Sequence, residues 1–475
     1  IQYFEWNLPD DGKHWERLKN DAKHLSEIGV SAVWIPPAYK GTSSMDVGYG
    51  AYDLWDLGEF DQKGTVRTKY GTKQELIEAI EELHKYDIDV YLDVVLNHKA
   101  GADETERFLA IEVSSGNRNE EVSDPYEIEG WTKFTFPGRK DKYSAFKWNY
   151  NLFTGVDFNN ENKKSAIYKI VGENKNWSEE VDSEMGNYDY LMYADLDFKH
   201  PEVIKNIYDW ADWFMETTGV AGFRLDAVKH IDSFFMRNFI RDIKEKYGQD
   251  FYVFGEFWNP DKEANLDYLE KIEERFDLVD VRLHQNLFEA SKAGENYDLT
   301  TIFKDSLVQL NPDRAVTFVD NHDTQRGQAL ESTVEEWFKP AAYALILFRE
   351  QGLPCVFYGD YYGISGQYAQ QDFKDVLDRL LAIRKELAYG EQTDYFDDPN
   401  CIGWVRSGAD NQSPLAIVIS NAKANSKIMF VGQEWADQTF VDLLGNHPDQ
   451  VTINAEGYGD FPVTERSLSV WGLAN

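Results

Sequence analysis

Short apolar runs alternate with amphipathic helical patterns along most of this chain, and that alternation leaves few folds open. Eight runs read as buried strands: residues 1–6, 31–35, 89–96, 220–226, 251–256, 278–283, 315–320 and 354–358. Parallel strands must be joined by crossovers, usually helical. Eight of them alternating with helices therefore predict an α/β chain closed into a (β/α)8 TIM barrel. The helices carry their own start and stop signals. Thr72 and Glu75 have capping-box spacing, followed by Leu76, Ile77, Ile80 and Leu83 at helical intervals. Pro201 opens another helix through Tyr208 and Trp213, and Gly219 follows its end.

Two stretches break the rhythm. Between His98 and Pro201 the sequence is rich in Gly, Asn, Asp and aromatics, with no long helical period. An irregular, β-rich insertion after the third strand fits, standing beside the face where strand ends open. After about residue 389 short strands follow at short intervals: 402–406, 415–420, 427–431, 440–444 and 468–471. They predict a C-terminal antiparallel β-sandwich. The expected domains are thus a barrel from 1–98 and 201–388, an insertion from 99–200 and a sandwich from 389–475.

Three runs lead to an acidic residue: Gly222-Phe-Arg-Leu-Asp226, Phe251-Tyr-Val-Phe-Gly-Glu256 and Ala315-Val-Thr-Phe-Val-Asp-Asn-His-Asp323. In a barrel those ends converge on one pocket. Two carboxyl groups flanking a glycosidic bond, one a nucleophile and one an acid, are the minimum equipment of a retaining glycosidase. Arg224 lies two positions before Asp226 and shares its strand face, so a guanidinium there is expected to favour ionised Asp226. Burial and neighbouring carboxylates are expected to raise the pKa of Glu256, so that it holds a proton.

These segments, with Asp93-Val-Val-Leu-Asn-His98, resemble the four signature regions of the α-amylase family of barrel glycoside hydrolases (glycoside hydrolase family 13). The likeness runs along nearly the whole chain and is greatest to bacterial liquefying and cytoplasmic α-amylases. It implies an endo-acting hydrolase of internal α-1,4-glucosidic bonds in starch, glycogen or maltodextrins, with Asp226 as nucleophile and Glu256 as acid and base. It further implies Asp323 as the carboxylate gripping sugar hydroxyls, and His98 and His322 as contacts to the same sugar. Tyr49 matches a tyrosine that stacks on the reacting ring. Lys229, His230 and, more weakly, Trp258 match ligands of neighbouring sugars. Rival expectations are a maltooligosaccharide-forming amylase, a 4-α-glucanotransferase and a non-catalytic glucan-binding barrel; the last fits poorly, since all three carboxylates are present.

The resemblance also implies a structural calcium ion held by Asn97, Asp189, Asp195 and the carbonyl of His230; hard oxygen donors suit that ion. Secreted liquefying relatives carry two further aspartates for a paired-metal site, and the matching positions here are Thr154 and Ser178. One calcium and no calcium–sodium–calcium cluster is the expectation.

Composition excludes other partners. With 48 Lys and Arg against 84 Asp and Glu, the net charge of −36 repels nucleic acid and anionic membrane, while a neutral polysaccharide is indifferent to it. The longest apolar stretch, 341–348, is far shorter than a membrane span. Cys355 and Cys401 are expected to be free thiols. Residues 1–6 read as a strand with no basic region or cleavage site before them, although a removed signal would look the same. A monomer in the cytoplasm is expected, with secretion the alternative.

Overall fold

The computed structural model describes residues 1–409 and 412–474. Seven strands form one parallel sheet in chain order: β1 (Ala32–Ile35), β2 (Asp89–Val94), β3 (Gly222–Leu225), β4 (Tyr252–Gly255), β5 (Asp277–Val279), β6 (Ala315–Phe318) and β7 (Leu353–Cys355). Gln2 closes the ring by bridging in parallel to both Trp34 and Phe357. The expected first strand thus shrinks to a single bridging residue. Beyond it, Trp6 N is taken by the Gln325 carboxamide (3.0 Å) and Asn7 N by the Glu5 carboxylate (2.6 Å), which draws the backbone off the ladder. The sixth expected strand, 278–283, is also cut short. The Asp280 carboxylate accepts from Leu283 N at 2.9 Å and caps a helix, Val281–Ala293, whose buried face had extended the apolar run.

Local signals act where the sequence puts them. Thr72 and Glu75 form the reciprocal capping box of the helix Lys73–Lys85. The helix Pro201–Thr218 stops at Gly219, whose φ of 66° suits a residue without Cβ. A Cβ at Gly222 would collide with the Tyr252 carbonyl, so only glycine lets β3 and β4 approach as they do.

Between β2 and β3 a six-stranded antiparallel sheet projects from the barrel. Its ends are stitched together at the barrel mouth, where His98–Lys99 pairs with Ala194–Leu196 and His98 faces Asp195. After the barrel, a second six-stranded sheet is buried on both faces. Ile402, Trp404, Ile417, Ile419, Leu468 and Val470 join the barrel core. Their alternating neighbours Cys401, Val405, Ala416, Val418 and Trp471 pack with Met429 and Phe461 of the ribbon Asn425–Phe430/Tyr458–Val463. Both cysteines are free thiols. Among the described residues no helix is long and apolar enough to cross a membrane.

Candidate active site

Register brings the charges together. Arg224 on β3 lies beside Asp93 on β2 and Phe254 on β4, at the carboxyl-terminal mouth of the barrel. Its buried guanidinium spreads over three carboxylates. Nη1 donates to Asp93 at 2.9 Å and to Asp226 at 2.6 Å, and Nη2 donates to Glu256 at 2.7 Å. Immediately after Asp226 the chain turns through Ala227 with φ 48°, a conformation rare without glycine. That turn aims Ala227 N at the Glu256 carboxylate, 3.2 Å away.

Burial dominates the titration of this group. It pushes Asp226 up to about 6 and Glu256 up to about 7, with Arg224 opposing both shifts and neighbouring carboxylates adding to them. Asp323 is pushed to about 7 by burial and by the Glu256 charge. The expectation for Glu256 therefore holds. That for Asp226 holds in the effect of Arg224, which favours the ionised form; desolvation outweighs it, so the carboxyl still sits above its ordinary value.

An open cleft of about 940 Å³ lies above these groups. Asp226, Glu256 and Asp323 reach its floor, and Tyr49, His98, Lys229, His230, Trp258 and His322 line it; Arg224 lies beneath. The Tyr49 ring is stacked on His322 at 5.1 Å and its hydroxyl donates to Asp93 at 2.8 Å. His322 Nδ1 faces the Gln2 amide nitrogen at 3.0 Å, and Nε2 lies 3.3 Å from Asp323. Burial depresses the His322 pKa, so the ring is neutral; accepting from Gln2 leaves its proton on Nε2, towards Asp323. Burial likewise lowers His98 to about 4 and His230 to about 3. Lys229 donates to Glu184 at 2.7 Å and to the Trp258 carbonyl at 2.9 Å.

Sequence reasoning missed three members. Trp6 lines the cleft and stacks on Tyr49 at 5.8 Å; it had been absorbed into a strand. Glu184, from the insertion, tethers Lys229 across the rim. Asp93 is completely buried and anchors Arg224, Tyr49 and Trp34 at once; an acid between Leu92 and Val94, in the apolar half of its strand, was its signal.

Asn97, Asp189 and Asp195 lie where the insertion meets the barrel. The Asn97 amide nitrogen donates to Asp195 at 3.3 Å, and its oxygen, Oδ1, is buried without a hydrogen-bond partner. Burial raises Asp189 to about 8 and raises Asp195 strongly, and neither carboxylate is paired with Lys or Arg among the described residues. Thr154 donates its hydroxyl to Asp195, and Ser178 gives its N–H to Asp189 at 3.0 Å and its hydroxyl to Asp232 at 2.7 Å. Among the described residues no three His, Cys, Asp or Glu side chains converge as a metal site. Calcium, however, also takes amide and carbonyl oxygens, and an orphaned Asn97 oxygen beside two buried, uncompensated carboxylates suits a hard cation.

Comparison with known proteins places nearly the whole chain in a family. Residues 15–394 match the family described as alpha amylase, catalytic domain, and residues 415–472 match the alpha-amylase C-terminal family. The chain is 52% identical over 474 residues to a glucan 1,4-alpha-maltohexaosidase of Bacillus sp. (strain 707), covering 99% of this chain and 91% of that protein. It is 43% identical over 483 residues to the cytoplasmic alpha-amylase of Escherichia coli (strain K12), covering 99% and 98%. In fold it resembles the acarbose-complexed alpha-amylase from Geobacillus thermoleovorans, with a TM-score of 0.67, 21% identity and coverage of 100% and 96%. The chain belongs to the α-amylase family of glycoside hydrolases.

Proposed function

We propose that the protein is an endo-acting, retaining α-amylase that hydrolyses internal α-1,4-glucosidic bonds of starch, glycogen or maltodextrins. The observation that carries this reading is the adjacency of Asp226 and Glu256, held by the two terminal nitrogens of one guanidinium at the floor of an open cleft. A close pair of carboxyls suits double displacement, whereas inversion needs room for a water between them. Asp226 attacks the anomeric carbon as Glu256 delivers its proton to the leaving oxygen, and the bond between them breaks. Glu256, now a carboxylate, takes a proton from water, which attacks the glycosyl ester and frees Asp226. Asp323 and the Nε2–H of His322 hold hydroxyls of the same ring, and Tyr49 offers it an aromatic face. Of the two, Asp226, at about 6, gives up its proton more readily than Glu256, at about 7, which is the order a nucleophile and an acid need.

Proton NMR of early products tests the stereochemistry. Reducing ends should appear first in the α-configuration, with iodine staining lost faster than reducing ends accumulate; first appearance of the β-anomer would sink the reading. A slow fluorinated glycoside should leave its adduct on Asp226. The maltohexaosidase relative favours one variation, release of maltohexaose as the main early product, which the same time course separates. Cytoplasmic location, as in the relative named for it, is part of the proposal.

Calcium completes it. The carbonyl of His230 and the side chains of Asn97, Asp189 and Asp195 would hold one ion. When bound, it would supply positive charge that ties the insertion to the barrel. Calorimetric titration of chelator-treated protein should find one site, and refilling it should raise Tm; saturation a hundredfold above Kd is worth about 2.7 kcal/mol. Two or more ions, or an unchanged Tm, would contradict the assignment.

A further inference from the structure

Outside the catalytic cleft a second depression of about 680 Å³ lies against the outer helix Pro201–Thr218, facing residues 143–146 of the insertion. The two share no lining residue. Glu202, Asn206, Asp209, Trp213 and Glu216 recur at intervals of four and three, so they form one stripe along the helix. From Glu202 to Glu216 that stripe is about 21 Å long.

Two polar features of the stripe are unexplained by folding, and a packed aromatic lies beside them. Asn206 is only 4% exposed, lines the depression, and its carboxamide has no hydrogen-bond partner in the protein. Its amide atoms are not among the side-chain atoms sealed from solvent, so this otherwise buried residue opens its donors and acceptor onto the depression, where an external partner can reach them. Glu202 and Glu216 line the same depression and are not paired with a cation among the described residues. Asp209 and Asp212, by contrast, are committed to Lys205 and Lys246, each at 2.6 Å. Trp213 is half-buried between Tyr143 and Trp55, with ring centroids at 4.9 and 5.2 Å. Tyr143 is fixed in turn by Glu59 and Lys73, and holds φ at 69°, a strained value for a non-glycine residue.

We infer that this depression is a second, non-catalytic site for a neutral α-glucan chain. Pyranose rings offer apolar C–H faces to aromatic edges and faces, and hydroxyls that donate to carboxylates and both donate to and accept from an amide. The stripe leaves the Asn206 amide and the Glu202 and Glu216 carboxylates free for such hydroxyls, and Trp213 lines the depression beside them. A site there would hold one stretch of a polymer while another lies in the cleft. The inference rests on the α-glucan reading of the main site.

Retardation in native gels containing soluble starch tests it, run on a Glu256→Gln background with acarbose saturating the cleft. The parent should still be retarded. Trp213→Ala and Asn206→Leu should each weaken the starch affinity at least about threefold, the scale of one lost aromatic or polar contact. If Trp213→Ala fails to fold, Asn206→Leu, which keeps helix and volume, decides alone. Retardation abolished by acarbose, or unchanged in the folded variants, would overturn the inference. Retardation that falls steeply with added salt would do so too, because it would mark cationic rather than neutral binding. Failure of the main reading looks different: the wild-type protein would then release no reducing ends from starch, whatever the gels show.

Discussion

Replacing Glu256 with Gln is expected to lower kcat on starch by roughly 10² to 10⁴, the usual contribution of a general acid. The change is nearly isosteric. The carboxamide oxygen can still accept from Arg224 Nη2 and Ala227 N, which lie 2.7 and 3.2 Å from the native carboxylate. Folding should therefore be intact, and Tm should move little. What disappears is the transferable proton. In the wild type kcat/KM should rise as Asp226 ionises at about 6 and fall as Glu256 deprotonates at about 7. The variant should lose the falling limb and keep the rising one. A substrate whose leaving group needs no proton, such as a glycosyl fluoride, should recover much of the first step. A variant that hydrolyses starch undiminished, or retains both limbs, would remove Glu256 from the acid role.

The barrel was legible because each strand is a compact apolar run and three of the runs lead into a carboxylate. Asp226, Glu256 and Asp323 stood out for that reason. The insertion was legible only as a departure from rhythm. Its long strand Glu104–Val113 carries charges on its exposed positions, balanced across strands by Arg107 with Glu127 and Lys133 with Glu104, so β content could be expected there but not the bounds of its strands. Glu184 was hidden because its role depends on meeting Lys229 from another part of the chain. Trp6 was hidden because Gln325, over three hundred positions away, is what lifts it out of the ladder. The net rise at Asp226 was hidden for a related reason. Sequence adjacency to Arg224 reveals the favourable charge, but not the depth of burial that opposes it.

Arg224 is where stability and chemistry meet, and Arg224→Met should damage both. The guanidinium is 1% exposed and is the shared cation of Asp93, Asp226 and Glu256. Removing one partner from a buried ionic group costs roughly 3 to 5 kcal/mol, because the remaining charges stay desolvated. The sign of its pH dependence follows from linkage. Burial already holds Asp226 and Glu256 above their ordinary values, and losing Arg224 raises them further. A carboxyl with a raised folded-state pKa binds more protons folded than unfolded, so stability falls as pH rises through that window. The deficit should thus be largest near about pH 8 and shrink towards about pH 5, where the carboxyls can be neutral. Activity should fail with the opposite pH dependence: a protonated Asp226 is no nucleophile, so the acid limb of any residual activity should move to higher pH while the stability deficit grows towards it. Arg224→Lys separates the effects. It restores a cation and most of the stability, but a single ammonium cannot fork between Asp226 and Glu256 as the guanidinium does, so activity should stay low. Urea denaturation at the two pH values measures the prediction directly. An equal deficit at both would show that Arg224 acts by packing rather than by charge, and full activity in the Lys variant would show that the fork does not position the pair.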